Sequence, residues 1–232
     1  MAEWLSPAEW QAVALSLRVA IWAVLLSLPF AIFVAYALAR WEFVGKQVLN
    51  GLVHLPLVLP PVVTGYLLLM TFGRRAPVGI FLEQTFGFTF AFQWTGAALA
   101  AAIMAFPLMV RAIRLSIEAV DPKLEHAART LGAGNARVFA TITLPLALPG
   151  IIAGAVLGYA KAMGEFGATI TFVSNIPGQT QTLPSAIYSF LQVPGGESSA
   201  VRLVTIAIVI SMAALILSEY LSKIITRKVR GQ

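Results

Sequence analysis

Lys161 and Glu165 stand one helical turn apart inside an otherwise apolar stretch, and they are the residues whose spacing could do chemistry. Ionisable groups deep in apolar surroundings cost several kcal/mol unless they are paired or wetted. Two readings follow. The pair lines a polar path or its gate, or it is an i,i+4 ion pair with Lys161 reaching outward to the interface. Little else could react. There are two histidines, His54 and His126, and no cysteine, so thiolate chemistry and a histidine cluster for zinc or iron are excluded. No Gly-x-x-x-x-Gly-Lys-Ser/Thr occurs, so the chain has no loop of that kind to cradle nucleotide phosphates. Neither a pair of catalytic acids nor a Ser/His/Asp grouping is present. No metal or cofactor is expected, and an enzyme working within the membrane would have only Lys161 and Glu165 to use.

The elements that must position these groups are set by composition. Hydrophobic residues make up 59% of the 232-residue chain and charged residues 11%, against about 25% charged in soluble domains. Mean hydropathy is +0.84. So much apolar surface cannot be hidden in one small globule, and lipid is the expected solvent. The fold class expected is all-α and polytopic. Apolar runs long enough to cross, about 20 residues each, are Val19–Ala39, Gln47–Gly73 with His54 as its one ionisable group, Trp94–Val110, Val138–Ala160 and Leu203–Leu221 with Glu219 at its end. Five spans are predicted. Thr182–Val193 is too short and is expected to lie in the interface or dip partway in, with a sixth span as the alternative. The first nine residues carry two acids and no base, unlike a secretory signal, so no cleavage is expected.

Loop charge sets the orientation. With the loop after the first span inside, that side collects Arg40, Lys46, Arg111, Arg114, Lys123, Arg129, Arg137, Lys223, Arg227, Lys228 and Arg230. The opposite side collects Arg74, Arg75 and Arg202. The N-terminus is therefore expected outside and the C-terminus inside. The net charge of +6 belongs to these loops and not to one basic face with interleaved aromatics, which argues against a nucleic-acid partner. Trp4, Trp10, Trp41 and Trp94 fall near span ends, as interfacial anchors do. Arg18 is expected to snorkel, and His54 to be a packed or interfacial histidine, with a transport role as the alternative. Pro56, Pro60 and Pro61 crowd the second span, while Pro145 and Pro149 open the fourth. Each interior proline removes a donor and bends the helix, and three within six residues point to a functional bend.

The longest inner connection, about residues 111–143, is not a plain linker. Asp121 caps a helix that Pro122 begins, and the Gly132-Ala133-Gly134 segment ends it. Leu124, Ala127, Ala128 and Leu131 recur at helical spacing and share a face. The result is a short amphipathic helix at the membrane surface. Its small residues would let another protein approach closely, whereas the plainer reading has it resting on the bilayer.

His126-Ala127-Ala128, then Gly132 and Ala133, then Ile142-Thr143-Leu144-Pro145 resemble the EAA loop of type I ABC importer permeases. His126 stands where that family usually has glutamate, and Glu125 lies one residue earlier, about 100° around a helix. The likeness extends over nearly the whole chain. The His54–Val63 run, Gly73-Arg74-Arg75, Phe106–Arg111, Gly164-Glu165-Phe166-Gly167-Ala168 and Asn175-Ile176-Pro177-Gly178 are similar to molybdate permease subunits. The Gly164–Ala168 run also resembles sulfate and tungstate permeases.

The resemblance implies one transmembrane domain over residues 1–232, with its core at about 12–222, and the type I importer permease fold with five spans and a coupling helix. It implies a permease in the bacterial inner membrane and not an enzyme; a homodimer; two cytoplasmic ATP-binding subunits; and a periplasmic oxyanion-binding protein. Glu125, His126, Ala127, Ala128, Gly132, Ala133, Ile142, Leu144 and Pro145 would form the coupling site. Pro60, Pro61, Thr64, Lys161, Gly164 and Glu165 would line the pathway or gate. A secondary transporter or channel is the rival, but it would need mid-membrane coupling carboxylates and would have no use for such a loop.

Overall fold

The computed structural model describes residues 4–230, with side chains omitted at Ser218 and from Leu221 onward. The side chains of Lys223, Arg227, Lys228 and Arg230, counted above for the inner side, and residue Glu3 lie outside the described residues. Eleven α-helices follow one another among the described residues: α1 (Pro7–Arg40), α2 (Lys46–Val58), α3 (Pro61–Phe72), α4 (Pro77–Phe86), α5 (Trp94–Glu118), α6 (Pro122–Thr130), α7 (Asn135–Val138), α8 (Leu144–Met163), α9 (Gly167–Val173), α10 (Leu183–Leu191) and α11 (Glu197–Arg230). A π-helical turn, Phe139–Thr143, joins α7 to α8.

Four helices are long and apolar enough to span a membrane, and the bent α2–α3 pair makes a fifth if it counts as one span. The span centres were legible, but several ends were not. The third was expected to finish at Val110, yet α5 continues to Glu118 with Arg111 and Arg114 inside it. Arginines do not break helices; their long stems allow the guanidinium to leave the apolar zone while the backbone runs on. The non-spanning part of the inner connection is thereby shortened. Nine residues of α10 rise about 13 Å, too little to cross.

α5 lies at the centre, against α1 on one side and α8 on the other. Its buried residues include Ala97, Ala98, Ala100, Ala101 and Ala105. Lipid tails are as apolar as leucine, so helices in a bilayer gain little from burying apolar area and instead associate by close contact. The α5–α8 seam uses that device. Gly150, Gly154 and Gly158 recur every four residues along α8 and face Ser116, the Met109 carbonyl with Ile113, and the Met109 side chain. A Cβ at Gly158 would stand 2.6 Å from Met109 Cγ. Around this seam Leu38, Val110, Ile113 and Ile117 form one buried cluster, while Phe172, Leu183 and Leu203 belong to a second towards the other end.

Polar clasps tie the helices at both ends. Ser6 caps α1 in a reciprocal box with Glu9. Glu9 Oε1 also accepts from Arg202 Nη2 at 2.6 Å, joining the starts of α1 and α11. Arg18 stacks over Trp94 at 3.7 Å from the ring centre, a cation–π contact in place of the simple snorkel expected of it.

Candidate coupling surface and transport pathway

The α6 segment forms as its sequence directs. Asp121 Oδ1 accepts from the Lys123 amide at 2.9 Å, Pro122 occupies the first turn, and Gly132 takes the left-handed conformation, φ +86°, that ends the helix. How the helix faces differs from the simple amphipathic expectation. Leu124 and Leu131 are 48% and 88% exposed, so the apolar side points outward, while Glu125 is the buried residue. The reason is a set of donors waiting inside. Glu125 Oε1 accepts from Arg40 Nε at 3.1 Å and from Thr143 Oγ1 at 2.8 Å. Arg40 Nη2 donates to the Val120 carbonyl at 2.8 Å, and Arg129 stands 3.9 Å from the second Glu125 oxygen. A carboxylate with a guanidinium and a hydroxyl is satisfied; alone it would be expelled to water.

This knot joins three elements: the end of α1, the first turn of α6 and the π turn entering α8. His126 and Ala127 project outward, with Ala128 and Ala133 half-buried and Gly132 exposed. Ile142, Leu144 and Pro145 are half-buried at the π turn and the first turn of α8, apart from that outward face. Glu125 thus stands apart from the exposed residues it was grouped with. Beside α6 an open cavity of about 910 Å³ is walled by Phe33, Tyr36, Trp41 and Phe139, with Arg40 and His126 at its polar side.

The second cluster gathers at two helix breaks. α2 and α3 meet at 113°, at Leu59-Pro60, and α8 stops at Met163 before α9 begins at Gly167. The breaks are adjacent. A Cβ at Gly167 would lie 2.8 Å from Pro61 Cβ, and one at Gly65 would lie 2.5 Å from the Ala168 carbonyl oxygen, so both contacts need glycine. Pro60, Pro61 and Gly164 are exposed at this junction. Thr64 is buried, and its hydroxyl has no hydrogen-bond partner among the described residues. Lys161 Nζ donates to Glu165 Oε2 at 2.8 Å, and the other carboxylate oxygen accepts from the Ala168 amide at 2.9 Å. Glu165 therefore caps α9 as well as pairing with Lys161, whose side chain keeps 29% exposure. The i,i+4 pair is present, and it sits at a break in the backbone.

Sequence reasoning missed the partners. Arg40 was read as loop charge and Glu125 as a displaced family acid; they are 85 positions apart, and neither has a local pattern that names the other. Glu9 and Arg202, 193 apart, were missed likewise. Among the described residues no group of three or more His, Cys, Asp or Glu could hold a metal.

Residues 27–231 match the family described as "Binding-protein-dependent transport system inner membrane component". The chain belongs to that family. It is a multi-pass permease subunit of an importer, and hydrolysis of ATP is not its own task. Among curated relatives, the "Molybdenum transport system permease protein ModB" of Escherichia coli (strain K12) is 64% identical over 220 residues, 95% of this chain and 96% of the relative. The protein of the same description from Haemophilus influenzae is 60% identical over the same shares. Of solved structures, a bacterial alginate ABC transporter in complex with its alginate pentasaccharide-bound periplasmic protein superposes with a TM-score of 0.76 at 17% identity, covering 96% of this chain and 81% of that one. That likeness shows the type I importer permease fold.

Proposed function

We propose that this chain is the permease of a molybdate importer, and that it works as a homodimer with two cytoplasmic ATPase subunits and a periplasmic binding protein. The observation that carries the substrate is the 64% identity with the Escherichia coli permease over almost the full length of both. The N-terminus is assigned to the periplasm and the C-terminus to the cytoplasm. Loop charge supports this, as does the geometry that puts the starts of α1 and α11 at one end and Arg40 with α6 at the other.

The coupling step falls to α6. His126, Ala127, Ala128, Gly132 and Ala133 form the surface on which an ATPase subunit docks, because small residues along an outward face allow close approach. Glu125 has a different role. It holds α6 to α1 and to the π turn, so a push on α6 reaches the spans through a short ionic and hydrogen-bonded link instead of being lost in a slack loop. Ile142, Leu144 and Pro145 receive that push where the π turn, a local weakness in helical geometry, enters α8.

The gate is assigned to the paired breaks. Pro60, Pro61, Thr64, Gly164, Glu165 and Lys161 lie where two spans lose regular hydrogen bonding, and non-helical backbone at depth is tolerated where it lines a path or is buried in protein. One half-exposed cation there, already paired, attracts an oxyanion without trapping it. Selection among tetrahedral dianions rests with the binding protein upstream.

Labelled molybdate uptake tests the reading, in cells lacking their own importer and expressing this chain with its ATPase and binding protein. Uptake that excess tungstate blocks and excess sulfate does not is the expected result. Sulfate uptake in its place would keep the importer and overturn the substrate.

A further inference from the structure

A second cationic cluster lies nearer the cytoplasmic end, where α2 meets α5, and nothing above uses it. Arg111, Arg114, His54 and Asn50 face a cavity of about 280 Å³, with Leu115 and Glu118 completing its wall. The donors are arranged. Arg114 Nε donates to Glu118 Oε1 at 2.7 Å and Nη1 donates to Asn50 Oδ1 at 3.3 Å, which fixes the guanidinium between two helices. Because Asn50 Oδ1 accepts that bond, its amide Nδ2 remains as a donor. The His54 Nδ1–H donates to the Asn50 carbonyl at 2.8 Å, leaving Nε2 as the ring nitrogen not engaged in that bond. Arg111 is exposed and forms no ion pair or side-chain hydrogen bond among the described residues. Glu118 offsets one arginine; the other keeps its charge.

Position adds to this. Arg111 lies about 25 Å along α5 from Trp94, near the inner edge of a hydrocarbon core about 30 Å thick. His54 precedes the α2–α3 break by about 8 Å along α2. In the assigned orientation the cavity therefore lies on the cytoplasmic side of that break. An arginine that merely snorkels needs no second guanidinium one turn along its own helix, nor an asparagine amide and an imidazole on a neighbouring one.

We infer that Arg111, Arg114, His54 and Asn50 form a weak binding site for a tetrahedral oxyanion at the cytoplasmic end of the permease. Forked guanidinium donors suit such an ion, and the Asn50 Nδ2 amide stands beside them as a neutral donor. The ion is either the transported oxyanion on its way out or the phosphate of a lipid headgroup, since both present the same oxygens. The inference rests on the oxyanion-importer reading for the first source only.

Arginine-directed labelling tests it. The permease with its ATPase subunits is placed in nanodiscs of neutral phosphatidylcholine and treated with phenylglyoxal, and the adduct at Arg111 is quantified by peptide mass spectrometry. Tungstate at ten times its dissociation constant should slow that labelling about tenfold by mass action, leaving Arg74 and Arg75 unaffected. A second arm replaces tungstate with phosphatidylglycerol in the disc. Protection by tungstate assigns the site to the free oxyanion; protection by phosphatidylglycerol alone assigns the same site to a lipid phosphate. Equal labelling of Arg111 in both arms and in the untreated disc overturns the proposal. The readout needs no transport, so intact molybdate uptake with no protection sinks this inference alone. Protection without molybdate uptake would sink only the substrate.

Discussion

The α5–α8 seam and the α6 segment are built on opposite principles within one chain. The seam is a dry contact in which Gly150, Gly154 and Gly158 let two helices touch, and its stability is spread over many small approaches. α6 stands out from the bundle with leucines exposed, and one carboxylate, Glu125, gathers the ties to Arg40 and Thr143. Distributed packing resists sliding and suits a part that must stay fixed. A helix tethered by one knot can be moved as a unit by whatever grips its outer face and still pass that motion on. The difference sets a closely packed frame against a tethered surface helix, the one proposed above to couple.

Removing the knot should have the largest effect. Glu125→Ala leaves the Arg40 guanidinium, 15% exposed, with only the Val120 carbonyl, and breaking a largely buried pair costs about 3 kcal/mol. Hydrogen exchange at the α6 amides should rise about a hundredfold while α5 and α8 remain protected. Loss of protection throughout would mean that α6 is part of the frame. Gly150→Leu drives a side chain into Ser116 and should cost about 2 kcal/mol by overpacking. Thermal unfolding of the purified permease would show a lowered midpoint, and an unchanged one would remove the seam from the frame.

Gly132→Val puts a β-branched residue at φ +86° with open space around it, so only backbone strain of about 1–2 kcal/mol is incurred. The reconstituted transporter should keep membrane insertion but hydrolyse ATP without matching uptake; normal uptake would end the coupling role of α6. The smallest effect belongs to Lys161→Met. Glu165 keeps its bond from Ala168, and a partly exposed pair contributes about 1 kcal/mol or less. Stability should barely change, and a fall in the molybdate uptake rate would place Lys161 in the path rather than in the frame.

Much of this architecture was legible along the chain. Apolar runs marked every span, because a bilayer demands length and low charge from each helix separately. Asp121, Pro122 and Gly132 marked the bounds of α6, since capping and positive φ are local demands. The prolines at 56, 60 and 61 announced a bend, although its size, 113°, depends on how α3 packs against α9 through Gly65 and Gly167. The Lys161–Glu165 pair was readable from its spacing, whereas the capping of α9 by Glu165 required the break after Met163 to be seen.

The sequence by itself determined a helical membrane protein, its spans, the bias of its loop charges and the position of the short capped helix α6. Those properties depend on residues within one or two turns of each other, and hydropathy and capping are sums over such neighbours. Only the tertiary structure decided which side of α6 faces in, that Arg40 meets Glu125 across 85 positions, and that the two helix breaks lie together. A charge can be satisfied by any opposite charge or donor that folding brings within about 3 Å, and the linear pattern does not say which helix will supply it.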